Sequence, residues 1–310
     1  LPKISSVISK IVIIYLILTL ILSGLYFING MTFFDSVAHS FSTISTGGFS
    51  THNQSFAFFD NQRILIIAIV FMVLGSFPFL VLAQTSIKNP FATFKDHQVK
   101  IFLFILIVSI ILIYFFAHRF IDGKYINQFI TISFNTISII SGTGFVSENF
   151  ENWGNYASVL FLILMFIGGC AGSTTGGLKV FRFQILFKFI SLHLNKMLHP
   201  HAVIAKHFNG KKIEESTYES VMSFFFIYIL TFAFSALLLS FSGLDFLTCI
   251  SASASAISNV GPGLGEIIGP DGNYSSLSSY SKIVLIFTMF LGRLEMLTIL
   301  VLFIPSFWKN

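Results

Sequence analysis

Residues 32–49 read Thr32-Phe33-Phe34-Asp35-Ser36-Val37-Ala38-His39-Ser40-Phe41-Ser42-Thr43-Ile44-Ser45-Thr46-Gly47-Gly48-Phe49. The first thirteen, 32–44, make a helical segment too short and too rich in Ser and Thr to cross a bilayer alone. It ends abruptly in a glycine tract. The same event recurs twice: 127–140 runs into Ser141-Gly142-Thr143-Gly144-Phe145, and 244–257 into Ser258-Asn259-Val260-Gly261-Pro262-Gly263. Each segment lies between long apolar runs. Those runs fall at 11–28, 64–83, 101–117, 159–170, 221–241 and 283–303. The fourth continues through a glycine-rich decade, 168–177, into 178–192, so six spans are expected, one of them interrupted. The order of long span, short semi-polar helix, glycine tract and long span is an internal repeat of about 100 residues, present three times. Its units run approximately over 7–86, 98–193 and 216–308 of one transmembrane pore domain, 1–310. The short helices read as re-entrant, because non-helical backbone survives at membrane depth only beside protein or a water-filled cavity.

Composition points the same way. The chain is 55% hydrophobic and only 10% charged, with 40 phenylalanines. At a mean hydropathy of +0.85 it lacks the polar surface to cover a soluble particle. A soluble enzyme, a nucleic-acid-binding domain and a disordered chain are excluded. The net charge of +5 is therefore read as cytoplasmic loop lysine rather than affinity for nucleic acid. With the glycine tracts placed outside, the opposite side holds Lys3, Lys10, Lys88, Lys95, Lys100, Lys179, Arg182, Lys188, Lys196, Lys206, Lys211, Lys212 and Lys309, thirteen of eighteen basic residues. Acidic residues lean outward: Asp35, Asp60, Asp122, Glu148, Glu151, Asp245, Glu266 and Asp271. An acidic vestibule raises the local cation concentration.

Aligned on one glycine, the tracts read Thr46-Gly47-Gly48, Gly142-Thr143-Gly144 and Asn259-Val260-Gly261. A cation entering a narrow pore sheds water, and inward-pointing backbone carbonyls replace it. Glycine permits the backbone angles this needs. A preceding short helix turns its negative C-terminal end toward the cavity. These nine residues are the expected filter.

The decade Gly168-Gly169-Cys170-Ala171-Gly172-Ser173-Thr174-Thr175-Gly176-Gly177 has two readings. Gly168, Gly172 and Gly176 are spaced as a small-residue helix-packing face. Alternatively, five glycines with Ser173, Thr174 and Thr175 break the helix in mid-span and form a gate. Arg293 is a basic residue inside a span, where charge is costly unless it faces protein or water. It reads either as a structural charge or as a barrier to cation flux beneath the filter. Glu295 reads as a partner for a neighbouring helix. His193, His199, His201 and His207 have no helical i, i+4 spacing, and Cys170 and Cys249 have no ligand neighbours, so no zinc site or disulfide is expected. No zinc-protease motif or Ser/His pairing supports an intramembrane enzyme.

The run 41–50, together with 141–145, 258–265, 168–180 and Leu291-Gly292-Arg293-Leu294-Glu295, resembles the TrkH/TrkG/KtrB potassium-uptake family over essentially the whole chain. The resemblance implies an all-α integral membrane protein of M1–pore helix–M2 repeats, a pseudo-fourfold, potassium-channel-like pore in the bacterial plasma membrane. It also implies K⁺ as the transported ion, no bound cofactor and a mobile loop at 168–177 that occludes the pore. The implied partners are a second copy of the chain, membrane lipid and a cytoplasmic nucleotide-binding regulatory subunit of the TrkA/KtrA kind. The family pattern has four repeats and three are read here. A start at Leu1 then fits a fragment, a split gene product or a non-conducting relic. A sodium-conducting relative is the remaining alternative. Gly48, Gly144 and Gly261 favour potassium, since serine at the first repeat's filter glycine accompanies sodium in the plant relatives.

Overall fold

The computed structural model describes residues 4–84, 92–121, 123–199, 207–208, 211–212, 215–294 and 296–308. Lys3, Lys88, Asp122, His201, Lys206, Glu295 and Lys309 lie outside them. Thirteen α-helices are described: α1 (Ile4–Ile28), α2 (Phe33–Ile44), α3 (Gln62–Gly75), α4 (Phe79–Leu82), α5 (Ala92–Lys95), α6 (His97–Ala117), α7 (Tyr125–Ile140), α8 (Asn155–Leu164), α9 (Val180–Leu198), α10 (Glu215–Ser240), α11 (Phe246–Ser258), α12 (Ser279–Arg293) and α13 (Met296–Val301). A two-residue ribbon, β1 (His207–Phe208) with β2 (Lys211–Lys212), pairs antiparallel on the loop before α10.

Helices α1, α6 and α10 each supply a run long and apolar enough to cross a membrane. Much of their surface is outward-facing: Leu20 is 72% and Ile28 80% exposed on α1, as suits helices solvated by lipid. Each carries a short helix: α1 packs on α2, α6 on α7 and α10 on α11. The short helices invert the usual arrangement by burying polar side chains. Ser36, His39, Ser40 and Thr43 on α2, Asn135, Thr136 and Ser138 on α7, and Ser251 and Ser253 on α11 are all fully buried. Local chemistry starts them. Thr32 accepts the Asp35 N–H at 3.1 Å and donates its hydroxyl to Asp35 at 2.7 Å, a reciprocal cap on α2. Asp245 caps α11 through the Thr248 N–H at 3.1 Å.

The second helix of every repeat is broken, which corrects two expected spans. The run 64–83 stops as helix at Gly75 and resumes at Phe79. Pro78 supplies no N–H and biases Phe77 away from helical angles. The run 283–303 stops at Arg293 and resumes at Met296. Here Gly292 lies so close to the end of α11 that a Cβ on it would stand 2.0 Å from the Ile257 carbonyl oxygen. Between α8 and α9, residues 165–179 form turns and extended chain. The helix-packing reading of Gly168, Gly172 and Gly176 therefore has no helix to act on.

Candidate functional site: a glycine ring over a glycine loop

All three short helices end alike. The N–H groups of Thr46, Gly142 and Asn259 bond to the carbonyls of Thr43, Ile139 and Ala256 at 3.1, 3.0 and 3.1 Å. The next residues, Gly47, Thr143 and Val260, bond back to Ser42, Ser138 and Ser255 at 2.7, 2.9 and 2.9 Å. This paired closure is the Schellman motif, whose turning residue is left-handed. Thr46, Gly142 and Asn259 accordingly have φ of +50°, +67° and +56°. Thr46 is β-branched and strained there, a cost that concentrates at functional sites. Two residues on, Gly48, Gly144 and Gly261 return to positive φ, at +71°, +80° and +116°. Three tracts of different sequence thus share one backbone path.

The tracts also face one another. A Cβ on Gly48 would stand 1.7 Å from the Thr143 carbonyl oxygen, and one on Gly144 would stand 1.8 Å from that of Val260. Each glycine therefore lies against the carbonyl of the following repeat. Gly261 meets only Gly144, at 3.9 Å. A cavity of about 660 Å³ brings together Thr46, Gly47, Gly48, Thr143, Gly144, Asn259, Val260 and Gly261 with Arg293 at its wall. Of the nine expected filter residues only Gly142 stays out of that lining. It lies beneath, 3.5 Å from the Gly176 nitrogen by its would-be Cβ.

Buried side chains on the short helices hold the outgoing strands. His39 Nε2 pairs with Ser50 at 2.9 Å, Asn135 Nδ2 donates to Ser147 at 2.8 Å, and Ser251 accepts the Leu264 N–H at 2.9 Å. Ser138 donates to the Phe145 carbonyl at 2.7 Å, and Ser255 accepts the Gly261 N–H at 3.0 Å. These five residues are not among those expected from the sequence. Their signal was present as polar side chains within ten or so positions before each glycine tract, but Ser-rich segments are common and the partners become visible only in three dimensions. Replacing Ser138 with Ala is expected to leave the Phe145 carbonyl unmet and cost about 1–2 kcal/mol. Thermal unfolding in detergent checks this, with a lowered Tm expected.

Residues 168–177 lie directly under the ring. The Thr174 hydroxyl shares its one proton between the Ile44 carbonyl at 3.0 Å and the Gly75 carbonyl at 3.1 Å, and accepts from the Thr46 hydroxyl at 3.3 Å. A Cβ on Gly176 would stand 2.3 Å from the Ser258 carbonyl oxygen, and one on Gly168 would stand 2.2 Å from that of Gly176. The Thr175 hydroxyl accepts the Gly169 N–H at 3.0 Å and pairs with Ser173 at 2.8 Å. Phe79 N–H bonds to the Gly172 carbonyl at 3.0 Å, and Gly168 and Leu178 close the base at 2.8 Å. Lys179 Nζ donates to the Thr175 carbonyl and, at 3.2 Å, to its hydroxyl. The loop therefore has its polar groups met by the ends of α2 and α3 and by itself, as depth in a membrane requires.

Arg293 is the last residue of α12, not mid-helix as the sequence implied, and its side chain is exposed. It lines the cavity at the ring and also a second cavity of about 320 Å³ bounded by residues 172–177. It thus stands where the two spaces adjoin.

Similar proteins identify the family of the chain. The family model TrkH, described as a cation transport protein, matches residues 1–310. The Trk system potassium uptake protein TrkI of Halomonas elongata is 36% identical over 311 residues, covering 100% of this chain and 63% of that protein. The Trk system potassium uptake protein TrkH of Escherichia coli is 34% identical over 319 residues, covering 100% of this chain and 64% of that protein. The crystal structure of the potassium transporter TrkH from Vibrio parahaemolyticus superimposes with a TM-score of 0.91 at 34% identity, covering 99% of this chain and 66% of that one. The chain thus spans 63% to 66% of the length of these relatives. On its sequence, its helical membrane architecture and these matches, the chain belongs to the TrkH family of cation transport proteins.

Proposed function

We propose that the chain supplies three walls of a potassium-conducting path across the bacterial plasma membrane. The units 7–86, 98–193 and 216–308 each contribute one wall of a single pore. The carrying observation is that three tracts of unlike sequence adopt one backbone path and place Gly48 and Gly144 against the next repeat's carbonyl. A ring of backbone oxygens replaces the hydration shell of a monovalent cation without fixed charge. Potassium is the ion in the relatives' names. The reading needs no cofactor and no catalytic residue. Residues 168–177 act as the gate, blocking the path below the ring. A second copy of the chain and a nucleotide-binding subunit on the lysine-rich face complete the assembly, a reading supported by the family resemblance and the basic stretch from Lys179 to Lys212.

The test is potassium-dependent growth of an uptake-deficient bacterium. It would express the chain alone or joined to the part of the E. coli relative that the chain does not cover. Growth at low potassium from the joined protein, lost on changing the filter glycines, supports the reading. No growth from a joined protein that reaches the membrane would overturn it in favour of a non-conducting relic. Rescue by sodium alone would favour a sodium path.

Arg293 is read as a fixed positive charge at the exit of the ring. Arg293→Gln is expected to raise the rate of Rb⁺ uptake in proteoliposomes severalfold while the preference for K⁺ over Na⁺ stays the same. An unchanged rate would make Arg293 a purely structural charge.

A further inference from the structure

The third glycine tract differs from the other two at its carbonyl. The Tyr274 hydroxyl donates to the Gly261 carbonyl oxygen at 2.7 Å. Among the described residues, no side chain donates a hydrogen bond to the carbonyl of Gly48 or of Gly144. Gly261 also has the widest φ of the three, +116° against +71° and +80°. Its N–H is held as well, by Ser255 at 3.0 Å. Both polar groups of this glycine are thus tied to side chains, and Gly261 and Tyr274 line the same cavity of about 660 Å³.

The chain between them brings Tyr274 back over Gly261. Gly263 N–H bonds to the Ile268 carbonyl at 2.8 Å, Gly269 N–H to that of Gly265 at 2.8 Å, and Asn273 N–H to that of Ile267 at 3.1 Å. The return is tight: a Cβ on Gly272 would stand 2.3 Å from the Ile267 carbonyl oxygen. The aromatic ring of Tyr274 packs against the cluster that holds Leu239, Cys249 and Ile268, and Lys282 of α12 donates to the neighbouring Ser275 carbonyl at 2.7 Å. Tyr274 is half-buried, and desolvation pushes its phenol up to about 12, so it remains a donor at neutral pH.

We propose that Tyr274 is a positioning residue for ion preference: by fixing the Gly261 oxygen, it holds the oxygen ring at the size of K⁺ and against the smaller Na⁺. The inference rests on the conduction reading above. A carbonyl oxygen has two lone pairs, so the bond to Tyr274 leaves one for an ion. An oxygen free to move closes around a small ion as well as a large one. An oxygen tied to a packed phenol has to break that bond to move inward, and the penalty falls on Na⁺ alone. Gly48 and Gly144 are confined instead by the Thr143 and Val260 oxygens against them.

The joined protein described above is reconstituted in proteoliposomes, and Rb⁺ uptake is measured against competing K⁺ and Na⁺. Ion binding is read separately, as the shift in melting temperature that each ion produces in detergent. Tyr274→Phe keeps the aromatic packing and removes only the hydroxyl. It is expected to lower the preference for K⁺ over Na⁺ about fivefold in both readouts, through tighter Na⁺ binding, with the Rb⁺ rate little changed. Tyr280→Phe, at an exposed tyrosine of α12, is expected to change neither. An ion preference in Tyr274→Phe equal to that of the unaltered protein, whether or not rate and melting temperature fall, overturns the proposal and leaves Tyr274 a structural residue. An unaltered joined protein that takes up no Rb⁺ yet is protected by K⁺ more than by Na⁺ overturns the conduction reading alone, and Tyr274 is then judged on the melting shift. One that shows no K⁺ preference in either readout overturns both.

Discussion

Gly144→Ala is expected to abolish ion flux, lowering Rb⁺ uptake by roughly a hundredfold or more. The added Cβ would stand 1.8 Å from the Val260 carbonyl oxygen and 2.9 Å from Pro262 Cδ. Neither neighbour is a flexible side chain that can rotate away, so the backbone of one tract has to move. The left-handed φ of +80° adds about 1–2 kcal/mol for any residue with a Cβ. A shift of one ångström in an oxygen ring is enough to lose ion coordination, because the competing state is a fully hydrated ion. Gly30→Ala separates the two causes. Gly30 also has positive φ, +105°, but nothing lies within 4 Å of its would-be Cβ. It is expected to cost about 1 kcal/mol of stability and leave flux intact. Equal flux in both variants would mean that Gly144 is a turn residue and that the ring does not conduct.

Thr174→Val is expected to raise flux about fivefold in the joined protein. Valine keeps the shape but removes the hydroxyl that donates to the Ile44 and Gly75 carbonyls. Loss of that single proton, shared between the two carbonyls at about 1 kcal/mol, shifts a two-state loop equilibrium by roughly fivefold. The loop is then held mainly by Lys179 and by backbone bonds at its base. Shortening the loop by removing 172–176 is expected to raise flux further, because the peptide beneath the ring is gone. Single-channel or Rb⁺-efflux recordings distinguish this from instability: a merely destabilised protein loses flux as it loses folded molecules. Unchanged flux in both variants would count decisively against a gate at 168–177.

Much of this protein is legible without coordinates, for local reasons. The apolar runs declare membrane spans because a bilayer accepts little else over about twenty residues. Asp245 and Thr32 announce the starts of α11 and α2 because a cap acts within three residues. The glycine tracts announce their turns because positive φ is a property of single residues. That one path is taken by Thr46-Gly47-Gly48, Gly142-Thr143-Gly144 and Asn259-Val260-Gly261 follows from the same Schellman closure in each.

What the sequence left open depends on atoms far apart in the chain. The stop of α12 at Arg293 is set against α11 by the approach of Gly292 to Ile257, and the run 283–303 has no proline to signal it. The loop's place was open because Thr174 meets Ile44 across 130 residues and Gly75 across 99. The carbonyls that Gly48 and Gly144 face were equally open, since Thr143 and Val260 lie about 95 and 116 residues further along the chain. Sequence therefore determined where the apolar runs and the short helices lie and where the glycine tracts turn, since those are fixed by near neighbours and by the solvent. Only the tertiary structure decided which carbonyl fills the space beside each glycine, because that depends on how separate helices pack, and packing is a property of surfaces that the order of residues along the chain does not display.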